Sequence, residues 1–297
     1  MRLLFVFNPN AAFGRAKENL PEILQAFEQN GISVVLKKTE APGHAKEIAA
    51  QTDLSQYDGI VAGGGDGTLF EVVNGYYLNP QRGTIPMGVV PVGTGNAFAR
   101  ELDLLATEWQ KAVEIIARKQ IKKIDVGHFV TGEEKYYFVN ILGLGFVSDV
   151  SKTAQKYKRF GNSAYTFGVF EELIFLKTHR LEMILDDQTI ERENIFVEIS
   201  NTRYTGTSFL MAPEAKIDDG MLDITLLNKK SRFGILKIFP TIFNGSHVQQ
   251  PGVETFKARS IKIKTDRPKV LTPDGEILGS TPIEVTCRKQ DLPFFWL

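Results

Sequence analysis

The chain has 297 residues, of which 43% are hydrophobic and 24% charged, as is usual for globular proteins of one or two domains. Lys plus Arg and Asp plus Glu number 35 each, and this balance argues against nucleic acid as the main partner, because nucleic-acid-binding domains usually carry a basic excess. The single cysteine, Cys287, excludes an intrachain disulfide, and no CxxC metal motif is present. No segment resembles a signal peptide or a membrane span, so we expect a cytoplasmic protein.

Residues 1–125 are predicted to form an α/β domain, because strand signals alternate with helix signals. Strands are predicted over residues 2–7, 32–39, 57–62 and 87–93, and helices over residues 15–31, 42–53, 68–78 and 109–120. This alternation is typical of a parallel sheet with crossover helices. We therefore expect a Rossmann-like, parallel-sheet nucleotide domain.

Residues 126–288 are predicted to form a second, β-rich domain. Residues 149–177 have a helical pattern, and short strand signals follow at 181–185, 195–200, 222–227, 260–265 and 283–287. A helical segment over residues 232–246 interrupts them, with a break expected at Pro240. The pattern favours a mainly antiparallel β-sandwich. The apolar tail, residues 289–297, is expected to pack back on one of the domains, with the first domain as the candidate.

Three consecutive glycines end the third predicted strand in GGGDGT, residues 63–68. Glycine permits close approach of a ligand, and the N–H groups of such a turn, followed by a helix N-terminus, bind anions. The candidate phosphate-binding residues are Gly64, Gly65, Gly67 and Thr68. Asp66 would repel a phosphate, so we expect a divalent cation, most simply Mg²⁺, between them. The alternative is a tight turn in which Asp66 caps the helix.

A second turn of this kind follows the fourth predicted strand in PVGTGN, residues 91–96. Gly93 and Gly95 flank Thr94, and Asn96 comes next. Asn8, after the first strand, is expected at the same edge, because open α/β sheets bind ligands at the carboxyl ends of their strands. Two such turns favour a nucleotide phosphate site. The alternative is a helix N-cap by Thr94 or Asn96.

Other nucleotide and hydrolase motifs are absent from the sequence. It contains no GxxxxGK[ST] P-loop, no GxGxxG between a strand and a helix, and no GxSxG elbow. The four histidines show no metal-ligand spacing. A P-loop enzyme, a Rossmann dehydrogenase and an α/β-hydrolase are therefore all disfavoured.

The motifs GGGDGT and GTGNAFAR, the NP that ends the first strand and a late DGE together resemble the diacylglycerol kinase catalytic-domain family. This family contains soluble bacterial lipid kinases related to sphingosine and ceramide kinases. The resemblance extends over nearly the whole chain. It implies a two-domain enzyme with ATP bound between the domains, which phosphorylates a lipid hydroxyl. Diacylglycerol is the leading acceptor and phosphatidic acid the product.

The resemblance also assigns roles to individual residues. The ATP site would be lined by Asn8, Pro9, Asn10, Ala11, Ala12, Thr39, Gly65, Asp66, Gly67, Thr68, Leu69, Phe70, Glu71 and Thr94. Asp66 would act through Mg²⁺, and Asp125 would join the network of acids and water around the metal. Glu276, in TPDGEILG, would be the general base on the lipid hydroxyl. Without the resemblance, this DGE favours a hairpin turn.

A second, structural Mg²⁺ site is implied in KIDDGMLDI, residues 216–224. Asp219 would supply its carboxylate, and Lys216 and Met221 would supply backbone carbonyls. Carboxylate and carbonyl oxygens suit a hard cation. The same residues also suit a turn that leads into a strand, and this alternative stays open.

The chain departs from the family pattern at two places. The first loop is usually NP-x-Ser-Gly, whereas here it is NPNAA, and Ala11 and Ala12 lack the hydroxyl and the freedom of glycine. Ala97 stands where many members carry an acid, which removes one water-mediated metal contact. These departures leave open a nucleotide- or lipid-binding regulator with weak or no turnover. Retention of Asp66 and Glu276 argues against a regulator.

A lipid acceptor implies a partner at the membrane surface, so we expect peripheral association with the inner face of the membrane. Residues 167–177 and 229–243 combine apolar and basic side chains that suit an anionic bilayer surface, although core helices are the alternative. The acceptor is not legible in the sequence. A sphingoid base, another glycerolipid and NAD remain alternatives, and a homodimer is also left open.

Overall fold

The computed structural model describes residues 1–105, 108–154, 156–157, 164–206 and 208–297. The chain forms two units. Unit 1 comprises Met1–Ile124 together with Gln290–Leu297, and unit 2 comprises Asp125–Lys289. Two long strands, β5 (Ile121–Thr131) and β16 (Ile283–Phe295), each contribute residues to both units.

Unit 1 is built on a parallel sheet whose strands alternate with helices. Its elements are β1 (Arg2–Phe7), α1 (Ala16–Gln29), β2 (Ser33–Lys38), α2 (His44–Gln51), β3 (Gly59–Gly64), α3 (Asp66–Leu78), β4 (Met87–Pro91) and α4 (Trp109–Arg118). The strand order is β2–β1–β3–β4, and the end of β16 joins parallel to β4. The whole of β3 is buried, as expected for a central parallel strand covered on both faces.

The carboxyl ends of β1, β3 and β4 lie side by side in unit 1. Phe7 is paired with Gly63, and Gly64 is paired with Pro91. The chain turns from β3 directly into α3 at this edge. The two glycine turns singled out in the sequence therefore follow neighbouring strands.

Unit 2 is a mainly antiparallel β-sandwich, and its described residues also form three α-helices. Its remaining elements are β6 (Glu134–Phe138), β7 (Ile141–Gly145), α5 (Phe146–Ala154), α6 (Ala164–Ile174), β8 (His179–Leu185), β9 (Gln188–Ser200), β10 (Tyr204–Thr205), β11 (Phe209–Leu210), β12 (Leu222–Asn228), α7 (Arg232–Ile238), β13 (Val253–Ala258), β14 (Ser260–Thr265) and β15 (Leu271–Pro273). The predicted fold class, a parallel α/β domain followed by an antiparallel β-sandwich, is confirmed by this architecture.

The long strand β9 organises the core of unit 2. Its first half pairs with β8, and its second half lies between β7 and β12. Val197 and Ile199 belong to an apolar cluster formed among the strands, whereas Phe196 belongs to a cluster completed by α5, α6 and α7. The second half of β9 is therefore covered on both faces.

Two predicted helical segments are shorter in the structure. The segment 149–177 contains α5 and α6, and parts of the stretch between them lie outside the described residues. The segment 232–246 is helical only to Ile238, and a 3-10 turn follows over Phe239–Ile242. Pro240 lies at the start of this turn, where its missing N–H breaks no helical hydrogen bond. Among the described residues, no helix is both long enough and apolar enough to cross a bilayer.

Candidate active site

The loop after β1 is tied to the start of α3 by Asn8. The backbone N–H of Asn8 donates to Gly63 O at 2.8 Å, and its Nδ2 donates to Thr68 Oγ1 at 3.2 Å. Its Oδ1 accepts a hydrogen bond from the backbone N–H of Asn10 at 2.9 Å. Asn8 therefore brings the first loop beside the glycine turn, as the sequence predicted for the sheet edge.

The two glycine turns pack backbone against backbone. The carbonyl oxygen of Gly64 accepts hydrogen bonds from Val92 N at 3.0 Å and Gly93 N at 3.1 Å. A Cβ atom on Gly93 would lie 2.3 Å from the Cα of Gly65, and one on Gly64 would lie 2.2 Å from Thr68 Oγ1. Both approaches are too close for any side chain. Glycine is therefore needed here for turn-to-turn packing, whatever ligand binds beside it.

Asp66 is the first residue of α3, and backbone donors hold its carboxylate. Ala97 N donates to Oδ2 at 2.9 Å, and Phe98 N donates to Oδ1 at 3.2 Å. Burial raises the pKa of the Asp66 carboxyl, while these N–H groups and that of Asn96 act in the opposite direction. A Cβ on Gly95 would lie 2.9 Å from Oδ2, so the second turn closes tightly over the carboxylate. The carboxylate thus has a fixed position between the two turns.

Asn96 shapes the second turn from within. It has a positive φ of 52°, and its side chain accepts from Gly93 N at 3.2 Å and donates to Gly93 O at 2.9 Å. This loop conformation directs the backbone N–H groups of Ala97 and Phe98 towards the Asp66 carboxylate. Asn96 therefore stabilises the turn itself and not a helix N-cap, which is Ala97 in the 3-10 turn that follows; its part in a nucleotide site stays a prediction.

The first loop adopts a left-handed conformation without glycine. Ala12 has a φ of 49° and Phe13 a φ of 61°, and the Phe13 side chain is exposed. L-residues reach this region only at a cost in free energy. Alanine at position 12, where the family usually has glycine, therefore raises the conformational free energy of the loop, whatever its effect on a ligand.

Other residues predicted to line the ATP site have structural partners. The Glu71 carboxylate accepts hydrogen bonds from Gly43 N at 2.8 Å and Ala45 N at 3.0 Å, and so caps α2. Thr39 N donates to Phe7 O at 2.9 Å. The side chains of Leu69 and Phe70 are buried. The assignment of these residues to an ATP site stays a prediction, as it does for Pro9, Asn10, Ala11, Gly67 and Thr94.

In unit 2, Asp274 fixes the turn that carries Glu276. The Asp274 carboxylate accepts hydrogen bonds from Val139 N at 3.1 Å, Asn140 N at 3.0 Å and Ile141 N at 2.9 Å. Glu276 is exposed, and its backbone N–H donates to Pro273 O at 2.8 Å. Asp274 therefore anchors the turn, and the Glu276 side chain extends from the anchored backbone.

A buried polar network, which the sequence did not predict, joins this turn to the first residues of unit 2. Thr202 Oγ1 donates to Asn140 Oδ1 at 2.5 Å. Asn201 Nδ2 donates to Val139 O at 2.9 Å and to Asp125 O at 3.0 Å. Asparagine inside strand-like runs, in FVNILG and EISNTR, was the only available signal. These residues hold the Glu276 turn in place.

Asp125 is buried and holds the loop of the second predicted Mg²⁺ site. Its backbone N–H donates to Ile217 O at 2.7 Å, and its Oδ2 accepts from Gly220 N at 2.5 Å. The predicted role of Asp125 beside the nucleotide metal stays a prediction. Within unit 2, Asp125 braces the segment that contains Lys216, Asp219 and Met221.

The carboxylate of Asp219 has two partners in this loop. Its Oδ1 accepts from Met221 N at 3.0 Å, and its Oδ2 lies 3.5 Å from Lys257 Nζ. Lys257 Nζ also lies 3.2 Å from Asp223 Oδ2. The ammonium group thus neutralises part of the acidic charge that a Mg²⁺ ion would use. The arrangement supports the turn alternative, and Mg²⁺ binding here stays a prediction.

Asp66 is the residue at the glycine turns that could bind a metal ion. Within the described ranges, no three His, Cys, Asp or Glu side chains are grouped to hold a metal. Mg²⁺ is commonly bound by one or two carboxylates together with nucleotide phosphates. The fixed Asp66 carboxylate therefore suits an ion that arrives with a nucleotide, and not a cage made by the protein.

Unit 2 also contains an apolar cavity of about 30 Å³. Its walls are Phe146, Val147, Val169, Phe196, Thr205, Phe209, Met211, Leu227, Ile235, Ile238, Phe239 and Ile242. Val169 belongs to α6, and Ile235 and Ile238 belong to α7. The inner faces of these two helices therefore close the cavity.

The outer faces of α6 and α7 are apolar as well. The exposed side chains there and just beyond the helix ends are Phe167, Phe170, Ile174, Phe175, Phe233, Leu236 and Phe243, which we call the apolar outer face. Arg232 joins the helices, since its Nε donates to Leu173 O at 2.7 Å and its Nη2 to Ile174 O at 3.0 Å. Arg232 therefore ties together the two helices that carry the apolar outer face.

Comparison with known proteins agrees with this architecture. Residues 2–129 match the model of the diacylglycerol kinase catalytic domain, and residues 140–295 match that of the YegS C-terminal NAD kinase beta sandwich-like domain. A solved Bacillus anthracis structure superposes with a TM-score of 0.84 at 26% identity, covering 100% of this chain and 95% of that one.

Two curated relatives are similar over almost their full length. The diacylglycerol kinase of Bacillus subtilis (strain 168) is 31% identical, over 95% of this chain and 92% of the relative. That of Staphylococcus saprophyticus is 30% identical, over 99% of this chain and 95% of the relative. The chain therefore belongs to the diacylglycerol kinase catalytic-domain family, a family of lipid kinases.

Proposed function

We propose that this protein transfers the γ-phosphate of ATP to the free hydroxyl of diacylglycerol, giving ADP and phosphatidic acid. The observation that carries the proposal is the Asp66 carboxylate, fixed between two glycine turns by the N–H groups of Ala97 and Phe98. A fixed acid at a helix N-terminus, beside glycine turns, suits a nucleotide phosphate with its cation. The diacylglycerol kinase relatives support the choice of acceptor.

On the donor side, the chain supplies position and charge. The N-terminus of α3 and the N–H groups of the turns would bind phosphate oxygens. Mg²⁺, held by Asp66 and the phosphates, would neutralise the charge that develops during transfer. Most of the rate acceleration in phosphoryl transfer comes from such positioning and electrostatic stabilisation.

On the acceptor side, Glu276 would take the proton of the lipid hydroxyl. The hydroxyl oxygen forms a bond to the γ-phosphorus, and the bond from that phosphorus to the β,γ-bridging oxygen breaks. ADP leaves with the electron pair of that bond. A carboxylate is a much weaker base than an alkoxide, so Glu276 would accept the proton only as the new bond forms. Asp274, which anchors the turn, would act as a positioning residue.

We further propose that the apolar outer face is seated in the membrane from which the lipid comes. The same two helices that expose this face line the apolar cavity on their inner side. A lipid chain would pass from the bilayer to the cavity as α6 and α7 part, because a volume of about 30 Å³ is too small for it otherwise. Lys237 Nζ lies 4.7 Å from the Phe233 ring and adds positive charge at this surface.

Three of the four basic residues in the segment 229–243 have partners in the protein. Lys229 Nζ lies 2.9 Å from Glu193 Oε1, Lys230 Nζ donates to Pro251 O, and Arg232 bonds the end of α6. The apolar side chains are therefore the better test of the membrane surface. Phe175→Ser with Phe233→Ser should reduce sedimentation with phosphatidylglycerol vesicles by about tenfold. Leu78→Ser, at an exposed leucine of unit 1, is the control, and equal binding by both variants would exclude this face.

The acceptor is tested by product identification. Purified protein is incubated with γ-labelled ATP, Mg²⁺ and a total lipid extract, and labelled lipids are identified by mass spectrometry. We expect phosphatidic acid as the main product. Phosphorylation of a sphingoid base instead would change the acceptor, and tight ATP binding without any labelled lipid would favour a regulator.

A further inference from the structure

Glu198 is a buried carboxyl group near the carboxyl end of β9 and is distant in sequence from every predicted site residue. Its side chain is 1% exposed. The Thr205 hydroxyl donates a hydrogen bond to the carboxyl group. The other oxygen, Oε1, has no hydrogen-bond partner among the described residues. A buried polar atom without a hydrogen-bond partner is unfavourable, so a ligand or a water that binds Oε1 would be favoured.

Glu198 lies where one face of the sheet changes from apolar to polar. Side chains two residues apart on a strand share a face, so Glu198 shares its face with Phe196. Thr225 is its partner on β12, and Leu227 lies two residues further along that strand. Phe196, Leu227 and Thr205, the residue bonded to Glu198, all line the apolar cavity.

A larger cavity of about 260 Å³, whose walls include charged side chains, lies on the other side of this boundary. Thr225, Asp223 and Lys257 are among the residues that line it. Along this face, the apolar pair Phe196 and Leu227 comes first, and the pair Glu198 and Thr225 comes next. The charged pair Asp223 and Lys257 follows. An amphipathic molecule in the apolar cavity would have its polar portion near Glu198.

The carboxyl group of Glu198 is neutral at physiological pH. Burial raises its pKa to about 8, against the smaller opposing effect of the Thr205 hydrogen bond. β7 contributes no ionisable side chain. The ionisable groups on the other elements around this part of β9 are Asp149 and Lys152 on α5, Glu171 and Glu172 on α6, His179, Arg180 and Glu182 on β8, Asp223 on β12, Arg232 and Lys237 on α7, and Glu254 and Lys257 on β13. The pKa of Glu198 is set by burial and by the Thr205 hydrogen bond and not by these charges. A neutral carboxyl donates one O–H hydrogen bond, which an ester carbonyl can accept.

The position of Glu198 relative to the Glu276 turn follows from the strand register. Thr272 of β15 is paired with Gly143 of β7, which is paired with Glu198. Two strand spacings separate Thr272 from Glu198, or about 10 Å. β15 runs directly into the turn that carries Glu276. The strand that leads into the Glu276 turn therefore lies two strand spacings from Glu198 within unit 2.

We propose that Glu198, held in place by the Thr205 hydroxyl, binds an ester carbonyl of an uncharged acylglycerol whose chain occupies the apolar cavity. This inference rests on the proposed lipid kinase function and names the group that selects the acceptor. The neutral acid donates its O–H to the ester, and the Oε1 atom gains the partner that it lacks. A sphingoid base has no ester and carries an ammonium group, which would pair with an ionised carboxylate instead. Glu198 therefore favours acylglycerols over sphingoid bases.

The test compares Glu198→Leu, which keeps the size but cannot hydrogen-bond, with Glu198→Gln, which keeps a donor and cannot ionise. With dioleoylglycerol in mixed micelles, we expect Glu198→Leu to raise the lipid KM by about 10-fold or more. The kcat and the KM for ATP should stay within about 2-fold, and Glu198→Gln should remain within about 3-fold of the wild type. Glu191→Gln, at an exposed position on the same strand, is the matched control.

The pH dependence gives a readout that a purely structural role would not affect. The wild-type KM for dioleoylglycerol should rise above about pH 8, where the carboxyl group loses its proton. Glu198→Gln should not show this rise. If Glu198→Leu does not fold, the comparison of wild type with Glu198→Gln still decides the matter, since identical pH profiles would overturn the proposal.

Binding of a fluorescent diacylglycerol analogue without ATP separates this proposal from the kinase function. If the wild type phosphorylates no lipid but binds the analogue, and Glu198→Leu binds it about 10-fold more weakly, the kinase function fails and the lipid site stands. Equal lipid KM and equal binding in both variants would overturn the site. Loss of sphinganine turnover in Glu198→Gln, with dioleoylglycerol turnover unchanged, would also overturn it, because the acid would then serve as a counter-ion.

Discussion

Gly93 and Gly65 touch through their backbones, since a Cβ on Gly93 would lie 2.3 Å from the Cα of Gly65. The contact is asymmetric, because a Cβ on Gly65 would find its nearest neighbour, Gly93 Cα, at 3.4 Å. The two glycines therefore have different reasons for lacking a side chain. Gly93 is required by packing, whereas Gly65 leaves space that a ligand could use.

This asymmetry gives a matched pair of variants. Gly93→Ala should lower the free energy of unfolding by about 1–3 kcal/mol, because the turns must move apart. Gly65→Ala should leave the stability within about 0.5 kcal/mol and raise the KM for ATP. Urea denaturation and ATP kinetics measure the two effects. Equal destabilisation by both substitutions would show that the contact is not the constraint.

The cap on α2 predicts a structural role for Glu71. Glu71→Ala removes the acceptor for Gly43 N and Ala45 N and should cost about 1 kcal/mol of stability. Glu47→Gln, at an exposed position of the same helix, should change it by less than about 0.5 kcal/mol. Thermal unfolding checks both values. A weaker affinity for ATP with unchanged stability would instead assign Glu71 to the nucleotide.

The left-handed Ala12 offers a stabilising substitution. Ala12→Gly should raise the free energy of unfolding by about 1 kcal/mol, since glycine accepts a φ of 49° without the penalty. Ala11→Gly, next to it and outside the left-handed region, should give no gain. Denaturant titration of the two variants distinguishes the positions. A gain at Ala11 and none at Ala12 would contradict the observed loop conformation.

The buried Glu198 predicts a pH-dependent stability. Its pKa is about 8 in the folded chain against an ordinary value of 4.5, so the folded state holds the proton more tightly between these values. Stability should therefore fall as pH rises through this window, by at most about 1.4 kcal/mol per pH unit. Urea midpoints at pH 5, 6, 7 and 8 measure the slope. The urea midpoint should depend less on pH in Glu198→Gln than in Glu191→Gln. The same pH dependence in both variants would refute a raised pKa of Glu198.

Much of the fold, and the position of the glycine turns proposed to bind the nucleotide, could be predicted from local sequence. Glycines after two successive apolar strands identify the sheet edge, because parallel strands end on the same side. The alternation of strands and helices gives the class of the first unit, and the run of short strands gives the class of the second. These signals extend over a few residues each, and the structure agrees with them.

The remaining features depend on contacts between distant residues. Glu71 caps a helix that begins 27 residues earlier, and Asp274 binds the backbone at Val139–Ile141, from the opposite end of unit 2. Glu198, within IFVEIS, has the pattern of a solvent-facing residue on a half-exposed strand. It is buried because α5, α6 and α7 cover the face that such a pattern leaves to water. Local periodicity carries no information about these partners.

We propose that Asp66 and Glu276 are the catalytic residues for phosphoryl transfer from ATP to diacylglycerol. The most direct measurement is the rate of label transfer from γ-labelled ATP to dioleoylglycerol, together with ATP affinity, for the wild type, Asp66→Ala and Glu276→Gln. Glu284→Gln, at an exposed position of unit 2, is the control. We predict that Glu276→Gln lowers kcat by about 100-fold or more with ATP affinity unchanged, whereas Asp66→Ala loses both. Turnover equal to that of the wild type in Glu276→Gln and Asp66→Ala would show that neither residue is catalytic.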